Sequence, residues 1–193
     1  VVMYGFSTPE EVPDRVADAD VIILNKVPVN ERTVGKARNL KLVCVTATGT
    51  DNLDKEYLEK RGIAWRNVAG YSTDSVAQHT FAMLFYLYEK LAYYDDYVKS
   101  GRYIGDKTFT HFAKVFRELA GKKWGIIGLG AIGVKVANMA THLGMEVLGY
   151  DPYISVEGAW SLSRSVRHCV NLSDLIAQCD YITLHIPATA QTK

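Results

Sequence analysis

The sequence predicts an α/β chain of parallel sheets, in two parts joined by a long helix. Three observations predict it. Apolar runs of strand length alternate with helical patterns along the whole chain. Some of these runs are apolar at every position, as in strands covered on both faces. One helical stretch, Asp74 to Lys99, holds neither Gly nor Pro and would span roughly 35–40 Å, about the width of a small domain.

The elements follow in order. Val1–Tyr4 reads as a short strand ended by Gly5, and Pro9–Asp18 as a helix with Val12 and Val16 four apart. Val21–Leu24 and Leu40–Thr46 are buried strands, with a helix capped by Asn30 between them. After the polar turn Ala47–Asn52, Asp51 or Asn52 caps a helix over Leu53–Lys60, Gly62 ends it, and Ile63–Val68 is a fourth strand. Ser75 and Gln78 stand at capping-box spacing at the start of the long helix. Arg102–Ala120 mixes polar residues, aromatics and a glycine, as an extended loop does. Then come a strand at Lys123–Ile127, a glycine turn, a helix at Ala131–Leu143 and a strand at Met145–Tyr150. A short helix at Ser173–Cys179 and a strand at Tyr181–Ile186, ended by Pro187, complete the pattern.

Composition narrows the function classes. Of 193 residues, 48% are hydrophobic and 22% charged, which is globular and not disordered. A net charge of +1 gives no reason to expect nucleic acid or an acidic membrane as partner. The longest uncharged apolar run, Phe81–Tyr88, is too short to span a bilayer, and no signal peptide is visible. Cys44, Cys169 and Cys179 match neither a disulfide framework nor a metal-ligand spacing, which suits a reducing cytoplasm and no metal. The chain opens on Val1, and both of its ends look cut.

The most informative stretch is Gly128-Leu129-Gly130-Ala131-Ile132-Gly133, a G-x-G-x-x-G turn. It follows an apolar strand and opens a helix with Ile132, Val136, Ala140 and Leu143 at helical spacing. The next strand ends at Asp151, 18 residues after Gly133. Gly128 permits the tight turn, Gly130 lets backbone amides approach a pyrophosphate, and Gly133 allows close packing of helix on strand. The helix start supplies free N–H donors and partial positive charge. Asp151 can accept from ribose hydroxyls, and its charge opposes a 2′-phosphate, so NAD is expected over NADP.

These residues carry a resemblance when taken with Thr48–Asp54, Asn67–Ser72, Ser75–His79, Glu118–Lys122, Gly125–Gly130 and Leu184-His185-Ile186-Pro187. Together they resemble the D-isomer-specific 2-hydroxyacid dehydrogenases. The first two-thirds look most like the glycerate (hydroxypyruvate) branch, and Asp151–Ser155 through Arg164 more like the 3-phosphoglycerate branch. The resemblance implies a flavodoxin-like substrate domain at 1–71 and a Rossmann NAD-binding domain at 72–193, both incomplete. It implies a cleft between them for hydride transfer, a small 2-hydroxy or 2-oxo acid as substrate, and a homodimer. It places Thr48, Gly49 and Tyr71 on the acid. On the cofactor it places Val76, Gly128, Gly130, Ala131, Ile132, Gly133, Asp151, Pro152, Tyr153, His185, Ile186, Pro187 and Thr192. The family's Arg, acidic residue and His lie after the Leu-His-Ile-Pro motif. No catalytic residue is therefore assigned before Lys193, and the 193-residue chain by itself is expected to be inactive.

Several features admit plainer readings. His185 lies at a strand's C-terminal edge, where it can line the cofactor, pack, or act in acid/base work; the resemblance implies lining. His79 follows a helix start, where it can face a domain cleft or pack locally, and His111, His142 and His168 follow no pattern. The tyrosines from Tyr86 to Tyr103 lie among Glu89, Asp95 and Asp96, which suits helix packing or a subunit contact and not a nucleic-acid platform. Two alternatives stay open at this point. One is 3-phosphoglycerate as substrate, with Arg66 or Arg164 on the phosphate. The other is a non-enzymatic NAD sensor on the same fold.

Overall fold

The computed structural model describes residues 1–189, 191 and 192. Its contacts divide the chain into two units, Val1–Tyr71 with Pro187–Lys193, and Ser72–Ile186. The segment from Pro187 thus groups with the first unit, whereas the sequence reading kept 72–193 together. Both units are α/β with parallel sheets.

The first unit contains α1 (Val12–Arg15), β1 (Val21–Leu24), α2 (Glu31–Val34), β2 (Leu42–Val45), α3 (Lys55–Lys60) and β3 (Ala64–Asn67). The strands pair in the order β1-β2-β3, with Val21 beside Leu42 and Leu42 beside Ala64. β2 is central, and its Val43 and Val45 share a core with Val34, Leu40 and Leu58. Asn30 caps α2 reciprocally with Thr33: each side chain accepts the other's backbone N–H.

Four expectations for this unit change. Val1–Tyr4 is no strand, because no strand lies beside it to share a ladder among the described residues. Instead the Arg15 guanidinium lies 4.4 Å over the Tyr4 ring. β1 is covered on one face only: Ile22 and Leu24 pack on the core, and no element among the described residues covers the opposite face, where Val21 and Ile23 are exposed. The cap of α3 is Asp54, whose carboxylate accepts from the Tyr57 amide at 3.0 Å, and not Asp51 or Asn52. The earlier pair is held in the preceding loop, where Asn52 donates to the Val27 carbonyl at 2.9 Å. The helices expected over Pro9–Asp18 and from Asn30 to Asn39 shrink to single turns.

The second unit opens with α4 (Thr73–Tyr88), α5 (Leu91–Lys99) and a 3-10 turn at Arg102–Gly105. It continues with β4 (Lys123–Ile127), α6 (Ala131–His142), β5 (Glu146–Tyr150) and α7 (Val156–Ser161). It closes with β6 (Arg167–His168), α8 (Leu172–Gln178) and β7 (Tyr181–Leu184). The sheet order is β6-β5-β4-β7. The winding runs outward from β4 to β6, then reverses to place β7 on the other side of β4. That reversal is the topological switch point of a Rossmann sheet. α4 and α6 cover one face, joining Ala77, Phe81, Val136, Ala137 and Ala140 to Trp124, Ile126 and Val147. Phe81 meets the Trp124 ring edge-on at 5.1 Å. Leu175 of α8 packs on Leu148, Ile127 and Cys169 in a separate cluster.

The single long helix is broken. Lys90 takes a left-handed backbone, φ 56°, between α4 and α5. The break lets Tyr88 pack edge-on against Tyr181 while Tyr97 of α5 is buried against His111, ring on ring at 3.7 Å. Tertiary aromatic contacts outweigh unbroken helical propensity here. No capping box forms at Ser75 and Gln78: Ser72 is the N-cap residue, and the Ser75 hydroxyl donates to its carbonyl. α7 and β6 were not anticipated from the sequence.

Leu58 is fully buried and Ile23 is 73% exposed. Leu58→Ala is expected to lower unfolding free energy by about 2–5 kcal/mol, and Ile23→Ala by less than about 1 kcal/mol. Urea denaturation of both variants tests this; equal losses would show that β1 is not a one-faced edge.

Candidate functional site

The glycine turn follows β4 directly. Gly128 has φ 93°, and its amide donates to the Tyr150 carbonyl at 2.9 Å. A Cβ on Gly128 would stand 2.6 Å from the His185 carbonyl oxygen and 2.7 Å from the Ile186 side chain. The ends of β4 and β7 therefore meet at van der Waals contact, and only glycine fits. A Cβ on Gly133 would stand 1.9 Å from the Gly128 carbonyl, so the first turn of α6 packs on the loop itself. Gly130 differs: a Cβ there would meet nothing within 4 Å. It borders open space at the start of α6.

That helix start is chemically exposed. Gly130 is the N-cap residue and supplies no side-chain cap. The amides of Gly130, Ala131, Ile132 and Gly133 have no acceptor among the described residues. These unpaired donors lie at the positive end of a 12-residue helix dipole, with Gly130 and Ala131 exposed. A diphosphate fits this cradle: its oxygens would take the orphan donors, and the bare Gly130 leaves room for its approach.

Asp151 follows β5. Its carboxylate accepts from the Leu129 amide at 2.8 Å and from the Tyr153 amide at 2.8 Å. Each oxygen keeps a lone pair free, so the group is held in place beside the glycine turn and still able to accept. Pro152 and Tyr153 are exposed. Leu129 was not singled out in the sequence; its fixed x position in the glycine motif gives no hint that its backbone anchors Asp151.

His185 is half-buried beyond β7, and burial holds its pKa below the usual 6.5. The Trp124 indole donates to the Thr183 hydroxyl at 3.1 Å, and that hydroxyl lies 3.1 Å from His185 Nε2. A hydroxyl that accepts from the indole has its own proton to give. The relay therefore favours neutral His185 with the ring proton on Nδ1. Thr183 and Trp124 were missed by motif reading, although Thr183 shares a strand face with His185 two residues on.

Other predicted residues lie as follows. Val76 is in the first turn of α4, which the Asp74–Lys135 ion pair ties to α6. Ile186 backs the glycine turn. Pro187 and Thr192 belong to the segment grouped with the first unit, where the Thr192 hydroxyl donates to the Pro187 carbonyl at 2.6 Å. In the first unit, Thr48 and Gly49 are exposed in the loop after β2, and Tyr71 is exposed at the unit's edge. The Asp51 carboxylate would stand 3.3 Å from a Cβ on Gly49. Arg66 donates to the Trp65 carbonyl at 2.7 Å and lines a groove with Lys55 and Glu59. Among the described residues no group of three His, Cys, Asp or Glu is placed to hold a metal ion. No helix among them is long and apolar enough to cross a membrane.

Comparison with known proteins agrees with this geometry. The family model "D-isomer specific 2-hydroxyacid dehydrogenase, NAD binding domain" matches residues 81–193. A glycerate dehydrogenase of Methylorubrum extorquens is 36% identical over 186 residues, which are 96% of this chain and 56% of that protein. A D-3-phosphoglycerate dehydrogenase of Methanocaldococcus jannaschii is 34% identical over 96% of this chain and 34% of its own. The chain thus spans about half of the first relative and a third of the second. Among solved structures, the D-lactate dehydrogenase of Aquifex aeolicus, complexed with NAD and lactic acid, matches with TM-score 0.79 and 30% identity over 93% of this chain and 51% of that one. An acyclic imino acid reductase complexed with NADPH and D-Arg matches with TM-score 0.83 and 27% identity over 99% of this chain and 58% of that one.

The lowered His185 pKa has a sign. A histidine that titrates lower in the fold than in the unfolded chain contributes stability present above about pH 6.5 and lost as pH falls through the folded value. NMR titration is expected to place the His185 midpoint below 6.5, and Thr183→Val to change its tautomer signature. A midpoint above 6.5 would contradict the burial seen here.

Proposed function

Since the chain belongs to the D-isomer specific 2-hydroxyacid dehydrogenase family, with residues 81–193 its NAD-binding domain, we propose that it serves reversible reduction of a small 2-oxo acid, with hydroxypyruvate and D-glycerate as the pair. The observation that carries this reading is the uncapped start of α6, with its four unpartnered amides beside a pinned carboxylate. NAD, when bound, gives or takes the hydride at C2 of the acid.

The chain's own residues bind and orient. The amides from Gly130 to Gly133 hold the diphosphate, and Gly128 and Gly133 keep the turn close to the sheet. Asp151 accepts from the adenosine ribose and repels a 2′-phosphate. Pro152 and Tyr153 border the adenosine, and Val76 and Ile186 line the remainder. His185 lines the cofactor as a neutral ring. Its Nε2 is engaged by Thr183 and its pKa lies below neutrality, both of which disfavour a role as proton donor. Thr48 and Gly49 offer backbone amides to the substrate carboxylate, and Tyr71 borders the acid. The proton donor and the bidentate Arg are expected after the Leu-His-Ile-Pro motif.

Hydroxypyruvate is favoured over 3-phosphoglycerate by the greater identity to the glycerate dehydrogenase, 36% against 34% for the D-3-phosphoglycerate dehydrogenase of Methanocaldococcus jannaschii. A homodimer is supported by the apolar arm after α5, where Ile104, Phe109, Phe112 and Val115 are each at least 77% exposed. The three free thiols suit a reducing cytoplasm.

Two outcomes are expected. Calorimetry on the full-length protein will find NAD bound more tightly than NADP, and Asp151→Ala will remove that preference; an unchanged ratio would reject the role of Asp151. The 193-residue polypeptide will bind NAD yet show no hydroxypyruvate-dependent oxidation of NADH. Turnover by it would overturn the placement of the proton donor.

A further inference from the structure

We infer that Asn67 is a positioning residue for substrate, acting through the backbone of the Thr48–Gly49 turn. The inference rests on the proposed acid-binding role of that turn and names the group that aims it.

Three hydrogen bonds lace the end of β3 to the loop after β2. The Val68 amide donates to the Ala47 carbonyl at 3.1 Å. The Asn67 side-chain amide donates to the Thr48 carbonyl at 2.7 Å. The Thr48 hydroxyl donates back to the Val68 carbonyl at 3.1 Å. Two successive carbonyls, of Ala47 and Thr48, are therefore drawn toward β3. All peptide bonds described are trans. In a trans peptide the N–H points opposite to the C=O of the same unit. The Thr48 amide must then point away from the Ala47 carbonyl, and the Gly49 amide away from the Thr48 carbonyl. Both N–H groups face the side of the loop turned away from β3, and neither has an acceptor among the described residues.

In a regular extended chain successive carbonyls alternate in direction, so two neighbouring amides would not converge. The first carbonyl is held by backbone alone. The second is held only by the Asn67 side chain. Removing that amide frees the Thr48–Gly49 peptide to rotate, and the paired donors become one. A concave pair of adjacent N–H groups is an anion-binding nest, and its second donor depends on Asn67. Asn67 itself is turned to the opposite side of the peptide, so its effect is indirect.

The test uses the full-length protein with NADH and hydroxypyruvate, and oxalate as an unreactive carboxylate probe. In Asn67→Ala, KM for hydroxypyruvate and Kd for oxalate should rise on the order of five- to tenfold, as for one lost hydrogen bond. KM for NADH and kcat should stay within about twofold, and the melting temperature should confirm an intact fold. Thr48→Val removes the return hydrogen bond without altering shape and should give the same split in weaker form. If both variants leave hydroxypyruvate KM and oxalate binding unchanged, Asn67 does not position the turn. A rise in NADH KM equal to that for the acid would mark a merely structural role and also overturn it. If the unaltered protein neither reduces hydroxypyruvate nor binds oxalate, the acid-binding reading itself fails, and this inference with it.

Discussion

Backbone lies directly on backbone where β4 meets β7 and α6, and the rest of the cofactor unit is arranged around that contact. Gly128 and Gly133 are the two positions at which a single carbon would force the strand ends or the helix start apart. Because they are bare, the first turn of α6 sits at the switch point with its amides open. The covered faces of β4, with Trp124 and Ile126 on one side and Leu175 on the other, hold this placement against relaxation. Binding capacity here is a consequence of close packing and needs no charged side chain at the opening.

Polar groups at the two candidate sites share one device. A side chain is spent on a neighbouring backbone group, and the free backbone donors are thereby aimed. Asp151 gathers the Leu129 and Tyr153 amides and stays beside the glycine turn. Asn67 draws the Thr48 carbonyl to β3. Thr183 departs from this pattern: it engages a side chain, the His185 ring, with the Trp124 indole behind it. Each fixes a direction through its hydrogen bonds, which is what preorganised recognition requires.

The arm between α5 and β4 obeys different physics. His111 stacks on Tyr97, and its Nε2 lies 2.9 Å from the Tyr93 hydroxyl. The Tyr97 phenol donates to Asp106, which pushes its pKa up to about 12. That cluster anchors the arm's base, while Ile104, Phe109 and Phe112 face outward. The sequence reading of Tyr86 to Tyr103 as helix packing fits the buried Tyr97, whereas the outward apolar residues of the arm were not anticipated.

What the sequence alone determined is local. Lys123–Ile127, the glycine turn, and the helix and strand after it are readable, because each depends on nearest neighbours: apolar runs, absent Cβ atoms, helical spacing. Asn30 as a cap is readable for the same reason. What the tertiary structure decided is whatever needs a partner distant in the chain. Ile23 looks like core but lies on the uncovered face of its strand. Lys90 looks helical but bends so that Tyr88 and Tyr97 reach separate aromatic partners. Asp51 and Asn52 look like caps, yet Asn52 is held by the Val27 carbonyl and Asp54 takes the helix. Leu129, Thr183 and the aim of Asn67 escape motif reading because their contributions are directions of hydrogen bonds. Direction is set only when two strand ends are brought side by side, and residue type carries no record of it.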